Sequence, residues 1–378
     1  MIPCQRDAFD IPDDVAYFNC AYMAPMLRSV RRAAEAALVR TGQPWQVTSD
    51  DFFTPPERAR QLFARLIGAR PDDVAITPSA SFGISTAARN LPLARGQSIL
   101  LLEEEFPSNV YAWQALARRS GGQIVTVRRP SDGDWTAAIL GALDDRVAIA
   151  ALPHCHWADG GHVDLGRVSP ALQRIGARLV LDVTQSLGVM PLDVTRICVD
   201  YLACAAYKWL LGPYSLGFLY AAPQHHGGEP LDDNWITREQ SENFAGLVDY
   251  RDAYQPGARR YDMGERASFV LIPMVTAALQ QLLAWTPEAI DATLSSITDR
   301  IAERADELGV SVAPRQLRAG HILGLRLAGG IPRGLVDELR EHKIFVSVRG
   351  QTMRIAPHLF VNGNDVDRLI GGLQGRAR

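Results

Sequence analysis

The sequence contains no stretch approaching the length of a membrane span. Its start, Met1-Ile2-Pro3-Cys4-Gln5-Arg6-Asp7, lacks a charged segment followed by an apolar one. A membrane association is therefore not expected, and a cytoplasmic location is. Basic runs are missing too, and the formal net charge of -3 leaves no electrostatic footprint for nucleic acid. The five cysteines, Cys4, Cys20, Cys155, Cys198 and Cys204, are odd in number and include no CxxC pair, so neither a disulfide framework nor a zinc site is expected. Two nucleotide signatures, GxxxxGK followed by Ser or Thr and a strand-linked GxGxxG, do not occur, which sets aside kinase and dehydrogenase readings. No internal repeat or low-complexity tract breaks the chain.

What is present is enough apolar material for a large core: 378 residues, 47% hydrophobic. From about residue 56 to 220, apolar runs at 74–76, 99–102, 124–127, 147–152, 179–182, 201–204 and 217–220 alternate with helical spacing, for example at 109–120 and 135–143. That alternation predicts an α/β fold with a mainly parallel sheet covered by helices on both faces. Gly227-Gly228-Glu229-Pro230 interrupts it. Helices are then expected at 271–283 and 287–308, and short strands at 310–312, 321–327, 344–348 and 353–355. The expectation is a large domain over 1–245 and a smaller α+β domain over 246–378.

Two polar residues end apolar strands. Asp182 closes Ala177-Arg178-Leu179-Val180-Leu181-Asp182, and Lys208 follows Tyr201-Leu202-Ala203-Cys204-Ala205-Ala206-Tyr207. Ligands gather at the carboxyl ends of strands in open α/β sheets, so both side chains are expected in one crevice. A lysine in a dry pocket loses proton affinity and becomes a nucleophilic amine able to form a Schiff base. Pyridoxal phosphate needs such a pair, an amine for its aldehyde and a carboxylate to keep its ring nitrogen protonated. Taken separately, Asp182 reads equally as a turn residue and Lys208 as a snorkelling one.

The stretches Leu181-Asp182-Val183-Thr184-Gln185-Ser186-Leu187-Gly188 and Tyr207-Lys208-Trp209-Leu210-Leu211-Gly212-Pro213 resemble the class V aminotransferase family of fold-type I enzymes. That group includes cysteine desulfurases, selenocysteine lyases, isopenicillin epimerase-like proteins and kynureninase. The resemblance covers nearly the whole chain and implies a large domain with a mainly parallel seven-stranded sheet. It implies further that Lys208 forms the Schiff base, that Asp182 pairs with the ring nitrogen and that Gln185 bonds the phenolic oxygen. Ser79, Ala80 and Ser81 would hold the phosphate, although a serine before a helix is also an ordinary cap. Tyr207 would add its phenol.

Phe106 stands where many relatives stack a histidine on the ring; it can stack but not exchange protons. The run Phe106-Pro107-Ser108-Asn109 followed by Tyr111 is similar to kynureninase. His156 falls where relatives place an asparagine near the cofactor oxygen, and is expected there as a proton shuttle. His154 and His156 at alternate positions invite a metal reading, but no third ligand is evident. Arg354 would take the substrate carboxylate, with Asn19 and Asn109 also expected at the substrate. Glu265 and Arg266 lie in a segment that reaches the neighbouring subunit in relatives, which implies a homodimer with active sites at its interface. No cysteine lies between Arg349 and Arg354, so persulfide chemistry is not expected.

The expected activity is therefore that of a pyridoxal-phosphate enzyme acting on a small amino acid by transamination or by β-elimination of a sulfur group. Epimerisation and kynureninase-type hydrolysis share the first deprotonation. A catalytically silent binding protein of the same fold is the reading from another class, which intact Lys208, Asp182, Gln185 and Arg354 oppose.

Overall fold

The computed structural model describes residues 1–374. A short strand β1 (Ala16–Tyr17) precedes seven strands of one sheet: β2 (Val74–Thr77), β3 (Ser98–Leu102), β4 (Gln123–Val127), β5 (Val147–Pro153), β6 (Arg178–Asp182), β7 (Tyr201–Ala205) and β8 (Gly217–Ala221). Their spatial order is β2-β8-β7-β6-β5-β3-β4. From β4 to β7 the neighbours pair in parallel. β8 runs antiparallel to both β7 and β2. The mainly parallel seven-stranded α/β sheet expected from the sequence is thus present, with one reversed strand whose direction an apolar run does not encode.

Every residue of β3, β7 and β8 is buried. This is the pattern of a sheet covered on both faces. The covering helix Ala80–Asn90 lies very close to β7, because a Cβ at Gly83 would stand 2.9 Å from that of Ala203. That contact fixes the start of the helix against the sheet edge.

Beyond β8, the helices Leu271–Trp285 and Pro287–Asp306 lead into β9 (Ser311–Val312), β10 (Leu323–Arg326), β11 (Ile344–Phe345), β12 (Ser347–Arg349) and β13 (Thr352–Ile355). Four of these form an antiparallel sheet in the order β12-β13-β10-β9, and β11 instead pairs in parallel with β1. The N-terminal segment is therefore stitched to the C-terminal part, with Asn19 bridging Ala356. Among the described residues no helix is long and apolar enough to cross a membrane.

Candidate active site

Because β8 is reversed, β2 runs in the same direction as β5, β6 and β7, and the carboxyl ends of all four reach one edge of the sheet. A cavity of about 340 Å³ opens there. Its lining brings together Ser79, Ala80, Ser81, Phe106, Asp182, Gln185, Tyr207 and Lys208, eight of the residues singled out in the sequence.

Lys208 is 6% exposed. Its amine lies 5.4 Å from the centre of the Phe106 ring and 5.5 Å from that of Tyr207. Among the described residues no carboxylate comes within 4.0 Å of it. Burial pulls its pKa down to about 8; Asp182 opposes this, while the charges of Arg354 and Arg349 add to it. The loop beyond Lys208 is held in an unusual shape. Leu211 and Ser215 take left-handed backbone at φ 55° and 63°, and Gly188 at φ 102° leaves room for the Trp209 carbonyl, which a Cβ would meet at 2.5 Å.

Asp182 is buried, and burial raises its proton affinity against the hydrogen bonds of Thr184 and the charge of Lys208. Its Oδ1 accepts the Thr184 amide at 3.0 Å. Gln185 reaches the cavity with its side chain already engaged: Trp209 Nε1 donates to its Oε1 at 2.9 Å and its Nε2 donates to Ala21 O at 3.0 Å. The second hydrogen of Nε2 and the second lone pair of Oε1 are left for a ligand. Ser79 caps the helix Ala80–Asn90 by accepting the Phe82 amide at 3.2 Å, and its hydroxyl lies 2.8 Å from that of Ser81. Capping and anion binding coexist at this end, where amides and hydroxyls face the cavity without a cation.

Three lining residues, Glu105, Cys155 and Trp157, were not singled out as site residues in the sequence. Burial pushes Glu105 up to about 8, opposed by the Phe106 amide and reinforced by the charge of Asp182. Its Oε1 accepts the Phe106 amide at 2.6 Å while Oε2 is buried without a partner; Asn109 lies close enough to favour the charged form without closing a hydrogen bond to it. Trp157 packs edge-on against Phe106, with ring centres 5.4 Å apart.

His156 does not face the cavity, which corrects its expected place beside the cofactor. It is fully buried, stacks on Trp135 at 5.1 Å and shares a hydrogen with Glu103 O at 3.1 Å. The reason is alternation: Pro153, Cys155 and Trp157 point into the cavity, so the two histidines between them point away. Asn109 is also withdrawn, accepting from Trp113 Nε1 at 3.1 Å, and Asn19 does not line the cavity.

Arg266 is corrected as well. It is 1% exposed and donates to Asp262 at 2.5 Å, in a cluster where Arg60 also grips Asp262. A guanidinium committed inward cannot reach a neighbouring subunit; only Glu265 of that pair is exposed. Arg354 is 1% exposed and donates to Trp157 O at 2.7 Å, while its Nε and Nη2 are buried without partners. Burial, then Arg349, brings it down to about 9.

The buried lysine beside a carboxylate, the serine-capped helix start and the aromatic wall fit pyridoxal phosphate: the unpaired amine answers an aldehyde, Asp182 a ring nitrogen, and Ser79 to Ser81 a phosphate. Comparison with known proteins agrees. The family described as Aminotransferase class-V matches residues 45–361. The chain is 28% identical over 365 residues to an uncharacterized aminotransferase, YcbU, of Bacillus subtilis (strain 168), covering 90% of this chain and 87% of that protein. It is 26% identical to isopenicillin N epimerase of Streptomyces clavuligerus, covering 84% and 83%. The structure of a cysteine desulfurase from Thermococcus onnurineus NA1 superimposes with a TM-score of 0.87 at 20% identity, covering 100% and 99%, which establishes the fold-type I architecture.

The exclusion of persulfide-forming desulfurase chemistry is overturned. Besides that structure, a probable cysteine desulfurase of Pyrococcus abyssi (strain GE5 / Orsay) matches at 23% identity over 84% of this chain and 82% of its own length. The turn between β12 and β13 carries no thiol, but Cys155 lines the cavity itself.

Proposed function

The chain belongs to the class V aminotransferase family, and from that premise we propose that it acts on an α-amino acid by transamination or by β-elimination that cleaves a carbon–sulfur bond. Its cofactor is pyridoxal 5'-phosphate. When bound, that group supplies an aldehyde that condenses with amines and a protonated ring that draws electrons from the α-carbon.

The observation that carries the reading is the Lys208 amine, buried, without an ion pair among the described residues and brought down to about 8 in the cavity that Asp182 also lines. Such an amine is neutral in about a tenth of molecules at pH 7 and about half at pH 8, so it can take a proton from the α-carbon and return it. Asp182 keeps a negative charge where a ring nitrogen must hold its proton. Phe106 and Trp157 form an apolar wall, and Arg354 offers two unpaired N–H groups to a carboxylate. Neither Phe106 nor the withdrawn His156 moves protons here, and we assign the base role to Lys208. Epimerisation and kynureninase-type hydrolysis begin with the same proton transfer. We read the assembly as a homodimer in which a second copy meets the exposed Glu265 segment.

A panel of L-amino acids and cysteine S-conjugates tests the reaction, scoring keto acid, ammonia, sulfide and inverted amino acid separately. Keto acid with ammonia supports elimination; keto acid only in the presence of an amino acceptor supports transamination. A colourless purified protein, or a Lys208→Ala variant with full turnover, would defeat the assignment.

A further inference from the structure

Two arginines stand against Trp157, a wall of the cavity, and neither has an acidic partner among the described residues. Arg349 and Arg354 lie on the adjacent antiparallel strands β12 and β13. Their guanidinium carbons stand 5.5 Å and 5.9 Å from the centre of the same Trp157 ring, and Trp157 lines the cavity against Phe106. Among the described residues no carboxylate lies within 4.0 Å of either. The only hydrogen bond of the Arg349 side chain among the described residues is from Nη1 to its own strand, at Val348 O, 2.7 Å. Two cations at one indole repel each other, and the charge of Arg349 disfavours that of Arg354. Burying such a pair without a counter-charge costs free energy, unless the counter-charge arrives with the ligand.

The cofactor phosphate does not supply it. The serine loop for that group follows β2, whereas Trp157 follows β5, and three strands lie between them in the sheet. At about 4.8 Å per strand the two ends of the cavity are roughly 15–20 Å apart. A single α-carboxylate is satisfied by one guanidinium fork, for which Arg354 presents its unpaired Nε and Nη2. That leaves Arg349, half-buried beside Trp157, with most of its fork open.

We propose that the substrate carries two anionic groups, an α-carboxylate for Arg354 and a second acidic group on the side chain, of carboxylate or sulfinate type, for Arg349. This rests on the reading of the cavity as an amino-acid site. It names the substrate class as amino acids with an acidic side chain.

The test is calorimetric titration of the yellow holoenzyme with glutarate and with butyrate, which lack an amine and so bind without reacting. Glutarate is expected to bind about tenfold tighter or better, the worth of one further charge-assisted pair. Arg349→Gln should abolish that preference while leaving butyrate affinity unchanged. Arg349→Met, which keeps the stem over Trp157, should behave alike and so exclude a packing defect. Arg354→Gln should weaken both ligands. Equal affinity of the wild type for the two acids overturns the proposal. So does a parallel loss of both in Arg349→Gln, since the two arginines would then share one carboxylate. A protein that never turns yellow fails the cofactor reading instead, and the colour keeps the two failures apart.

Discussion

Glu105 and Asp182 present two buried carboxyls to one cavity, and the charge of Asp182 is one reason, after burial, that Glu105 keeps its proton up to about pH 8. The unfolded chain releases that proton near 4.5, so between 4.5 and 8 the folded state binds more protons and stability falls as pH rises. A glutamine copies the protonated form. Glu105→Gln should therefore leave the cofactor-free protein more stable than wild type at pH 8, by on the order of 2–5 kcal/mol, with the gap closing by pH 5. Urea midpoints at the two pH values check this. A gap that is constant with pH would mean that Glu105 is charged in the fold.

Lys208 can be titrated directly, because the chain has only two lysines, Lys208 and Lys343. Acetylation of the cofactor-free protein, read peptide by peptide, should modify Lys208 with a half-maximal rate near pH 8. Asp182→Asn removes a charge that favours the protonated amine and should move that midpoint lower. The sign for stability is the reverse of that for Glu105. The unfolded amine holds its proton to about 10.5, so stability rises with pH between 8 and 10.5, and Lys208→Met should stabilise the cofactor-free protein at pH 7 by about 1–3 kcal/mol.

Much of this cavity was legible in the sequence, for a reason visible at particular residues. Asp182 and Lys208 end apolar runs, Leu179 to Leu181 and Tyr201 to Tyr207, and a buried strand of a parallel sheet is such a run, so the ends of β6 and β7 were readable. The direction of β8 was not, because a buried strand reads alike in either sense. Residues after a strand were the weak point. Nothing in His154-Cys155-His156-Trp157 says which parity faces the ligand, and chemistry drew attention to the histidines when the geometry selects Cys155 and Trp157. Arg266 was misplaced because its partner Asp262, the extended residue that ends a 3-10 turn, is four residues away and its second neighbour Arg60 some two hundred away.

The Phe106 ring, its centre 5.4 Å from the Lys208 amine and edge-on to Trp157, is an apolar face of the cavity on which a cofactor ring can stack. Phe106→Ala should leave the fold intact, since the ring is only half-buried, and speed loss of cofactor on dialysis by about tenfold, the worth of one aromatic contact. Phe106→Trp should restore retention. If cofactor is held equally well by the alanine variant, the ring binds against another wall.

Four buried histidines set the acid limit of the protein. Burial brings His154 and His358 down to about 3 and His321 to about 4, and it lowers His156 as well, against Asp159. All four stay neutral in the fold while their unfolded counterparts protonate below about 6.5. The unfolded state then takes up protons that the folded state refuses, and stability falls with pH, each group contributing about 1.4 kcal/mol per unit below 6.5. His358 isolates the effect. Neither of its ring nitrogens has a partner, and it lies among Phe9, Trp209 and Phe360 at centre distances of 6.0, 6.0 and 6.1 Å. An imidazole so placed leaves its polar atoms unsatisfied, at a cost of about 1–3 kcal/mol that a phenyl ring does not incur. His358→Phe should therefore be at least as stable as wild type at pH 7 and lose less stability between pH 7 and 5, by about one proton's worth of slope in the urea midpoints. A variant that is weaker at pH 7 and equally acid-sensitive would show that His358 is hydrogen-bonded in solution and is not a source of the acid limit.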